Sequence, residues 1–381
     1  MKSMTIIDVK NIILLHINKL KSFSVIGIIA FIIIGILIIN SRHKIEKYMY
    51  DNFPFQAHIL KFIAKYNELV QDNSNRNKAF RGKDGWLFLG NDYARTVDAL
   101  QGVNIDSRAH QRFFSLIRDL ANQCRTADIP FMVMIGPNKH TIYPEYLPDW
   151  LHPVNTGVRE ALAASLEQEG IPVFDPTALL KSNKNKRLLY YRTDTHWNIA
   201  AGAIAYNGLK NFISSHFQIN WPPLPAYELI DGQTGAGDLI RIGNFQYFNL
   251  RDGDTFILKW YIQPSLLRYS YDGESYNLAK FSIDIESEKN SHIDFNSTDI
   301  IVNNSEKHID IIKNTAPISQ QTVVIFGDSF EASISPFFNN IFKKVIYISR
   351  AGAPLWSSEL LKYLNPDIII FLCVERGFIH G

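Results

Sequence analysis

Apolar residues along this 381-residue chain are arranged in three ways, and each predicts a different kind of structure. Residues 23–39, FSVIGIIAFIIIGILII, are 17 positions without a charge. At a helical rise of about 1.5 Å per residue, such a run is just long enough to cross a bilayer. A cleaved signal peptide has a shorter apolar core and small residues at its cleavage site. NSRHKIEKY follows here instead, so residues 23–40 read as an uncleaved transmembrane helix. Lys2, Lys10, Lys19 and Lys21 precede the run, and Arg42, Lys44 and Lys47 follow it. That slight excess, with the free amino terminus, puts the N-terminus in the cytoplasm and everything after about residue 42 outside. Within residues 1–22 and just beyond their start, MTIIDVKNIILLHINKLK is amphipathic and suits the membrane surface.

The second arrangement is helical spacing in a polar background. It covers residues 41–79, around AHILKFIAKYNELV, and predicts a stalk with a first helix. The third is an alternation of short unbroken apolar runs with helical periodicity, from residue 80 to residue 381. In FRGKDGWLFLGND, Lys83-Asp84-Gly85 reads as a turn and WLFL as a short strand. Residues 107–126 and 156–169 have helical spacing, and each precedes a buried strand, IPFMVMIG and IPVFDP. IAAGAIAYNGLKNFI is an alanine-rich helix with Asn198 placed to cap it. Later come strand QTVVIFGDSF, helix EASISPFFNNIF, strand KVIYIS, helix SSELLKYLN and strand PDIIIFLCVER. Continuous apolar strands separated by helices predict an α/β fold, a doubly wound parallel sheet covered on both faces. The alternation pauses at about residues 220–320, a stretch rich in Tyr, Asp, Ser and Asn with runs such as TFILKWYIQ. It predicts a β-rich insertion that shapes one wall of the site.

Composition narrows the picture further. With 46% hydrophobic residues the chain can build a large core, and a net charge of +2 gives no electrostatic case for binding nucleic acid. Of the two cysteines, Cys124 and Cys373, the latter lies in the apolar run PDIIIFLCV and reads as a buried thiol. No cysteine–histidine spacing suggests a zinc site, so no metal or bound cofactor is expected.

Two segments carry the chemistry. YRTDTHWN, residues 191–198, puts an acid, a hydroxyl, an imidazole and an indole side by side. It is either an ordinary polar turn or two-thirds of a catalytic triad. VVIFGDSF supplies the third part: Ser329 falls just beyond a buried strand, where sites form in such sheets. A serine hydroxyl is a poor nucleophile until a base takes its proton. His196 can be that base, and Asp194 can hold its imidazole in the right tautomer if the loop is bent. The helix after Ser329 would aim N–H groups at a developing oxyanion. Asp328 competes as the acid, but its place beside Ser329 suits a helix cap better.

GDS after a strand resembles the nucleophile block of SGNH-type hydrolases. DTHW resembles the Asp–His block of their alginate O-acetyltransferase (AlgJ/AlgX) branch. The same branch has counterparts to GKDGWLFL at residues 82–89, to the loop from Pro137 to Pro148, and to the closing PD…ER block from Pro366 to Arg376. The resemblance runs from about residue 80 to the C-terminus. It implies a permuted, SGNH-like (flavodoxin-like) domain over residues 80–381, because here the Asp–His block precedes the serine. It also implies Ser329 as acyl-accepting nucleophile, His196 as base and Asp194 as its partner. The chain looks like the membrane-anchored members, which implies a single-pass protein of the bacterial cell membrane with a periplasmic or extracytoplasmic catalytic domain. The implied activity is transfer of acetyl groups to hydroxyls of an exported polysaccharide. The implied acetyl donor is delivered by a multipass membrane-bound O-acyltransferase. The rival readings are an O-acetylesterase with the same triad and a non-catalytic component of an acetylation and export complex. The glycan itself stays open.

The usual esterase Gly-X-Asn-Asp block has no counterpart, since GND at residues 90–92 merely follows the WLFL strand. Oxyanion candidates are therefore the N–H of Ser329 and, more remotely, Gly352 in SRAGAP. Lys139, His140 and Tyr143 lie after a strand and read either as contacts to a sugar or acetyl donor or as a surface loop. Glu375 and Arg376 end the last strand, as an ion pair with each other or as a substrate contact. Trp86 reads as packing; Trp197 is open between packing and stacking on a sugar ring. The anchor reading has a direct test: the full-length protein stays in the membrane fraction through a high-salt wash, with its bulk open to external protease. Release as a shortened soluble chain would remove the anchor, and protection from external protease would reverse the orientation.

Overall fold

In a computed structural model, the chain divides into two compact units, residues 1–72 and 73–381. The structure describes residues 77–93, 95–102, 107–154, 157–232, 237–245, 256–262, 264–272, 308–349, 361 and 364–380, all in the second unit. The expected membrane helix at residues 23–40, the stalk up to residue 76 and Gly352 lie outside the described residues. Among the described residues, no helix is long and apolar enough to cross a membrane.

Alternating side chains of the apolar runs face two different cores, as expected of strands covered on both faces. Strand β1 is Ala79–Arg81, β2 Leu87–Leu89, β3 Phe131–Gly136, β4 Val173–Phe174, β5 Tyr227–Asp231 and β6 Phe256–Trp260. Then come β7 Leu266–Asp272, β8 His308–Asn314, β9 Ser319–Gly327, β10 Phe342–Ser349 and β11 Ile368–Val374. Along β3, Met132 and Met134 pack into one core, and Phe131, Val133 and Ile135 into the other. Val323 and Ile325 of β9, and Ile368, Ile370 and Leu372 of β11, join the first core. Val324, Phe326, Ile369, Phe371 and Cys373 join the second. Residues of helix Ile199–Phe217 pack into the first core, and residues of Ser107–Thr126 and Val158–Gln168 into the second.

The main sheet has the order β4-β3-β11-β9-β10-β8-β7. The pairings among its first five strands are all parallel. The last two pairings, β10 with β8 and β8 with β7, are antiparallel. The sheet is therefore mixed, not purely parallel, and strands β7 and β8 of the expected insertion are part of it. Two short sheets lie outside it, hairpin β1–β2 and the pair β5–β6. The hairpin turns at Asp84 and Gly85, both at positive φ, as the Lys-Asp-Gly sequence predicts.

The parallel order puts the carboxyl ends of β3, β11 and β9 side by side. From β3 the chain steps to β4 on one side, and from β9 to β10 on the other. Such a switch opens a crevice in the sheet's edge. The turn after β9 is a short 3-10 stretch, Ser329–Ser333, in place of the expected continuous helix; a proline-started helix, Ser335–Ile341, follows. Gly202, inside Ile199–Phe217, is what lets that long helix reach this turn: a Cβ there would lie 1.9 Å from the Ser333 carbonyl oxygen. Beneath the turn Glu331 folds against Gly327, and its Oε2 is buried with no hydrogen-bond partner. Burial, with the Asp328 and Asp310 charges adding to it and Arg268 opposing, pushes the Glu331 carboxyl well above its usual range.

Two expectations follow for the support of this turn. A glycine-to-alanine change inside a helix ordinarily gains about 1 kcal/mol. Gly202→Ala instead loses about 1–3 kcal/mol in urea unfolding, as overpacking does; a stabilised variant would contradict the close approach. Glu331 holds its proton more tightly folded than unfolded, so its contribution to stability is full below the unfolded carboxyl value and lost as pH rises. Glu331→Gln, always neutral, therefore melts with the wild type at acid pH and above it at alkaline pH. Parallel melting curves across pH would rule out a neutral buried carboxyl.

Candidate active site

The bend that Asp-X-His chemistry requires is built into residues 190–198. Tyr190 and Trp197 form an antiparallel bridge, closing the segment into a tight loop. At its tip Asp194 Oδ1 accepts both the His196 backbone N–H, at 3.0 Å, and its ring Nδ1–H, at 2.6 Å. One carboxylate oxygen thus fixes the turn and the imidazole together. The far ring nitrogen, Nε2, accepts from the Ser329 hydroxyl at 2.7 Å. Burial alone would raise Asp194; the His196 hydrogen bond and charge, with the N–H groups of Asp238 and His196, outweigh it and hold the carboxyl far below its usual range. Asp194 is ionised at any working pH, which suits a group that orients and stabilises an imidazolium.

Two hydrogen bonds dock this loop on the serine turn. Trp197 Nε1–H donates to the Phe330 carbonyl at 2.7 Å, and Ser333 Oγ–H donates to the Trp197 carbonyl at 2.8 Å. Asn198 then caps Ile199–Phe217 by accepting from Ala200 and Ala201, as its position predicts. On the serine side, Asp328 does what a cap does. Its Oδ1 accepts from Phe330 N–H and its Oδ2 from Val374 N–H on β11. Asp328 is occupied at those two backbone groups, and Asp194 is the carboxylate on the imidazole. The N–H groups of Phe330 and Glu331 both go to Asp328, which leaves the Ser329 N–H as this turn's oxyanion candidate.

Several expected substrate contacts turn inward instead. Lys139 is only 4% exposed, and its ammonium donates to the carbonyls of Tyr191 at 3.1 Å, Arg192 at 3.1 Å and Asp194 at 2.7 Å. It lies over the rings of Trp86 and Phe88 and pins the triad loop from beneath. A buried ammonium needs such oxygens, so its role is structural. Tyr143 is buried too, its hydroxyl accepting from Leu189 N–H at 3.0 Å. Trp197 is fully buried and cannot stack on a sugar. His140 is pushed down to about 3 by burial, helped by the Arg376 and Lys139 charges, and is a neutral imidazole. Trp86 packs as expected, stacked on Tyr146 at 4.5 Å.

Arg376 keeps its place at the site. Helix Glu375–His380 begins directly after β11, so Glu375 and Arg376 open a helix and point to different partners. Glu375 accepts from Asn138 N–H and Thr141 Oγ–H and faces Arg159. Arg376 lies over the Phe330 ring and donates to Asn138 Oδ1 at 3.3 Å. It lines a cleft of about 590 Å3 together with His196, Ser329, Arg241, Phe256 and Tyr93. Burial lowers the Arg376 guanidinium, and the Asp328 and Asp238 charges oppose that. Tyr93, at 59% exposed, stands on the rim. Phe256 and Leu258 bring β6 to the cleft, so part of the expected insertion does form a wall.

Sequence reasoning missed Asp238. It begins the short helix Asp238–Ile242 and lies with Asp194 and His196 in one cluster. The local signal was Gly237: a Cβ there would lie 2.3 Å from the Thr193 carbonyl oxygen. Only a glycine lets this helix press against the triad loop.

Residues 79–242 match the family described as SGNH hydrolase-like domain, acetyltransferase AlgX. That stretch holds Lys139, Asp194, His196 and Asp238; Ser329 lies beyond it. The probable alginate O-acetylase AlgJ of Pseudomonas putida is 26% identical over 155 residues, 40% of this chain and 38% of that protein. The match therefore spans little more than a third of the relative's length. The solved O-acetyltransferase domain of Pseudomonas putida AlgJ superposes with a TM-score of 0.52 at 15% identity, covering 80% of this chain and 93% of that one. Bacillus cereus PatB1 with a sulfonyl adduct superposes with a TM-score of 0.55 at 13% identity, covering 79% and 95%. These structures share the fold described above, and residues 79–242 are similar to the SGNH hydrolase-like domain of the acetyltransferase AlgX.

Proposed function

We propose that this chain is an O-acetyltransferase that passes acetyl groups through Ser329 to hydroxyls of an exported polysaccharide. The observation that carries the reading is the unbroken hydrogen-bonded line from Asp194 through His196 to Ser329 at the mouth of an open cleft. In the first half-reaction Ser329 Oγ attacks the acetyl carbonyl carbon while His196 Nε2 takes the hydroxyl proton. The tetrahedral intermediate collapses, the bond to the donor's leaving oxygen breaks, and His196 returns the proton to that oxygen. In the second, a sugar hydroxyl attacks the acetyl-serine, gives its proton to His196, and Ser329 is released with the proton back on Oγ. Asp194 steadies the imidazolium in both steps. The Ser329 N–H is the candidate oxyanion donor on the serine's own turn. Arg376 and Arg241, lining the cleft, supply positive charge beside the acceptor.

The cellular setting belongs to the same proposal. The apolar run at residues 23–39 anchors the chain in a bacterial cell membrane with the catalytic unit outside, and a multipass acyltransferase delivers the acetyl donor. An AlgJ-like acceptor would be alginate, the polymer in the names of the sequence relatives.

The test uses the folded full-length protein, p-nitrophenyl acetate as donor and an oligosaccharide acceptor, with products read by mass spectrometry. Ser329→Ala abolishes acetylation of the sugar, His196→Ala nearly does, and Asp194→Ala lowers the rate by up to about 10⁴-fold. The losses do not add, because the three residues act as one unit. A folded Ser329→Ala protein with wild-type transfer ends the serine mechanism. Release of acetate alone, with no acetylated sugar from acceptors of several classes, makes the chain an esterase.

A further inference from the structure

Three oxygens crowd the side of His196 away from the serine. Asp194 Oδ1 lies 2.6 Å from Nδ1, Thr195 Oγ1 3.2 Å, and Asp238 Oδ2 3.8 Å. Asp238 is held there at both oxygens. Its Oδ1 accepts the Thr195 backbone N–H at 2.8 Å, and its Oδ2 accepts the Thr195 hydroxyl at 2.6 Å. Its own backbone N–H donates to Asp194 Oδ2 at 2.9 Å. Gly237 N–H donates to Thr193 Oγ1 and Leu239 N–H to the Thr193 carbonyl, so the whole start of this helix is fastened to the triad loop.

A hydroxyl has one proton. The Thr195 proton is spent on Asp238, so the oxygen facing Nδ1 offers a lone pair. Nδ1 must then carry the ring proton, which leaves Nε2 as the bare nitrogen facing Ser329. We infer that Asp238 is a positioning residue for His196, a second carboxylate that fixes the reactive tautomer through Thr195 and shares the charge of the imidazolium. The inference rests on the acyl-serine reading above and adds a residue to it. It also gives the segment before β6 a reason to press on the loop: the chemistry is clamped from a part of the chain that enters the site from another side.

Charge and tautomer separate in their effects. A carboxylate near the ring favours the imidazolium, so removing it lets the proton leave at lower pH. Among the described residues, the other ionisable groups around the cleft and the serine turn are Asp194 and Tyr191 from the His196 loop, Tyr93 on the rim, Arg241 from the Asp238 helix, Asp328 and Glu331 from the serine turn, and Arg376 after β11. Lys139 lies on the Asp194 carbonyl. None of these residues is itself substituted in the variants at 238 and 195; of them, Arg376 also feels the Asp238 charge, and Thr195→Val leaves that charge in place.

The experiment is the pH profile of Ser329-dependent p-nitrophenyl acetate cleavage by the full-length protein. Asp238→Asn lowers the plateau of kcat/KM by about 10- to 100-fold, the range of positioned acid–base contributions at its lower end. It moves the acid limb to lower pH, with KM little changed. Thr195→Val lowers the plateau but leaves the limb where the wild type has it, because the carboxylate remains. Asp238→Glu restores part of the plateau and the limb. A plateau loss with an unmoved limb in Asp238→Asn reduces the residue to a structural peg and overturns the inference. A wild-type plateau in Thr195→Val overturns the relay even if the Asp238 variants do not fold. Ser329→Ala separates the two levels. If it cleaves like the wild type, the acyl-serine mechanism falls and this inference with it; if it is inactive while Asp238→Asn is unchanged, only the role of Asp238 falls.

Discussion

The active geometry depends on one contact, the seating of Trp197 on the turn that holds Ser329. The indole N–H on the Phe330 carbonyl and the Ser333 hydroxyl on the Trp197 carbonyl join residues 133 and 136 positions apart in sequence. The indole bond is buried, where a hydrogen bond is stronger and a missing partner costs more, and the Ser333 bond is partly buried. Gly202 allows the approach by leaving space for the Ser333 carbonyl. His196 is the residue before Trp197, so its 2.7 Å contact to Ser329 follows from this seating.

Around that contact, buried polar groups act as fasteners. Lys139 gathers three carbonyls of the triad loop, Asp328 ties the serine turn to β11, and Glu375 ties β11 to the loop after β3. Each of these residues stands at the carboxyl end of a strand, where backbone groups leave the sheet ladder and need partners. A cleft built this way is rigid on its sheet side. Its outer wall comes from Tyr93, Phe256 and Arg241, on elements outside the main sheet. Under the proposed acyl-serine reading, variation in those elements would alter which acceptor fits without disturbing Ser329, which is how function is grafted on a shared fold.

Much of the sheet was legible because its strands are apolar on both faces, and that pattern is local. The cap at Asn198, the turn at Asp84-Gly85 and the cap at Asp328 were legible for the same reason: each acts within a few residues of itself. Side-chain direction was not. Lys139, Tyr143 and Trp197 look like contact residues in sequence, yet the fold turns each one inward to a distant backbone partner. The antiparallel strands β7 and β8 were read as an insertion because their composition is mixed; nothing local says that they pair with β10. Asp238 could not be paired with Asp194 from spacing, since 44 residues separate them.

The central claim is that the acetyl group rests on Ser329 before a sugar takes it. Rapid acid quench of the full-length protein with an acetyl donor, followed by peptide mass spectrometry, reads this directly. The account predicts one acetyl group on the peptide containing Ser329, absent in His196→Ala and discharged when an acceptor oligosaccharide is added, with the label recovered on the sugar. An acetylated sugar formed with no acetyl ever found on Ser329, under conditions that trap serine esters in a control hydrolase, would contradict it.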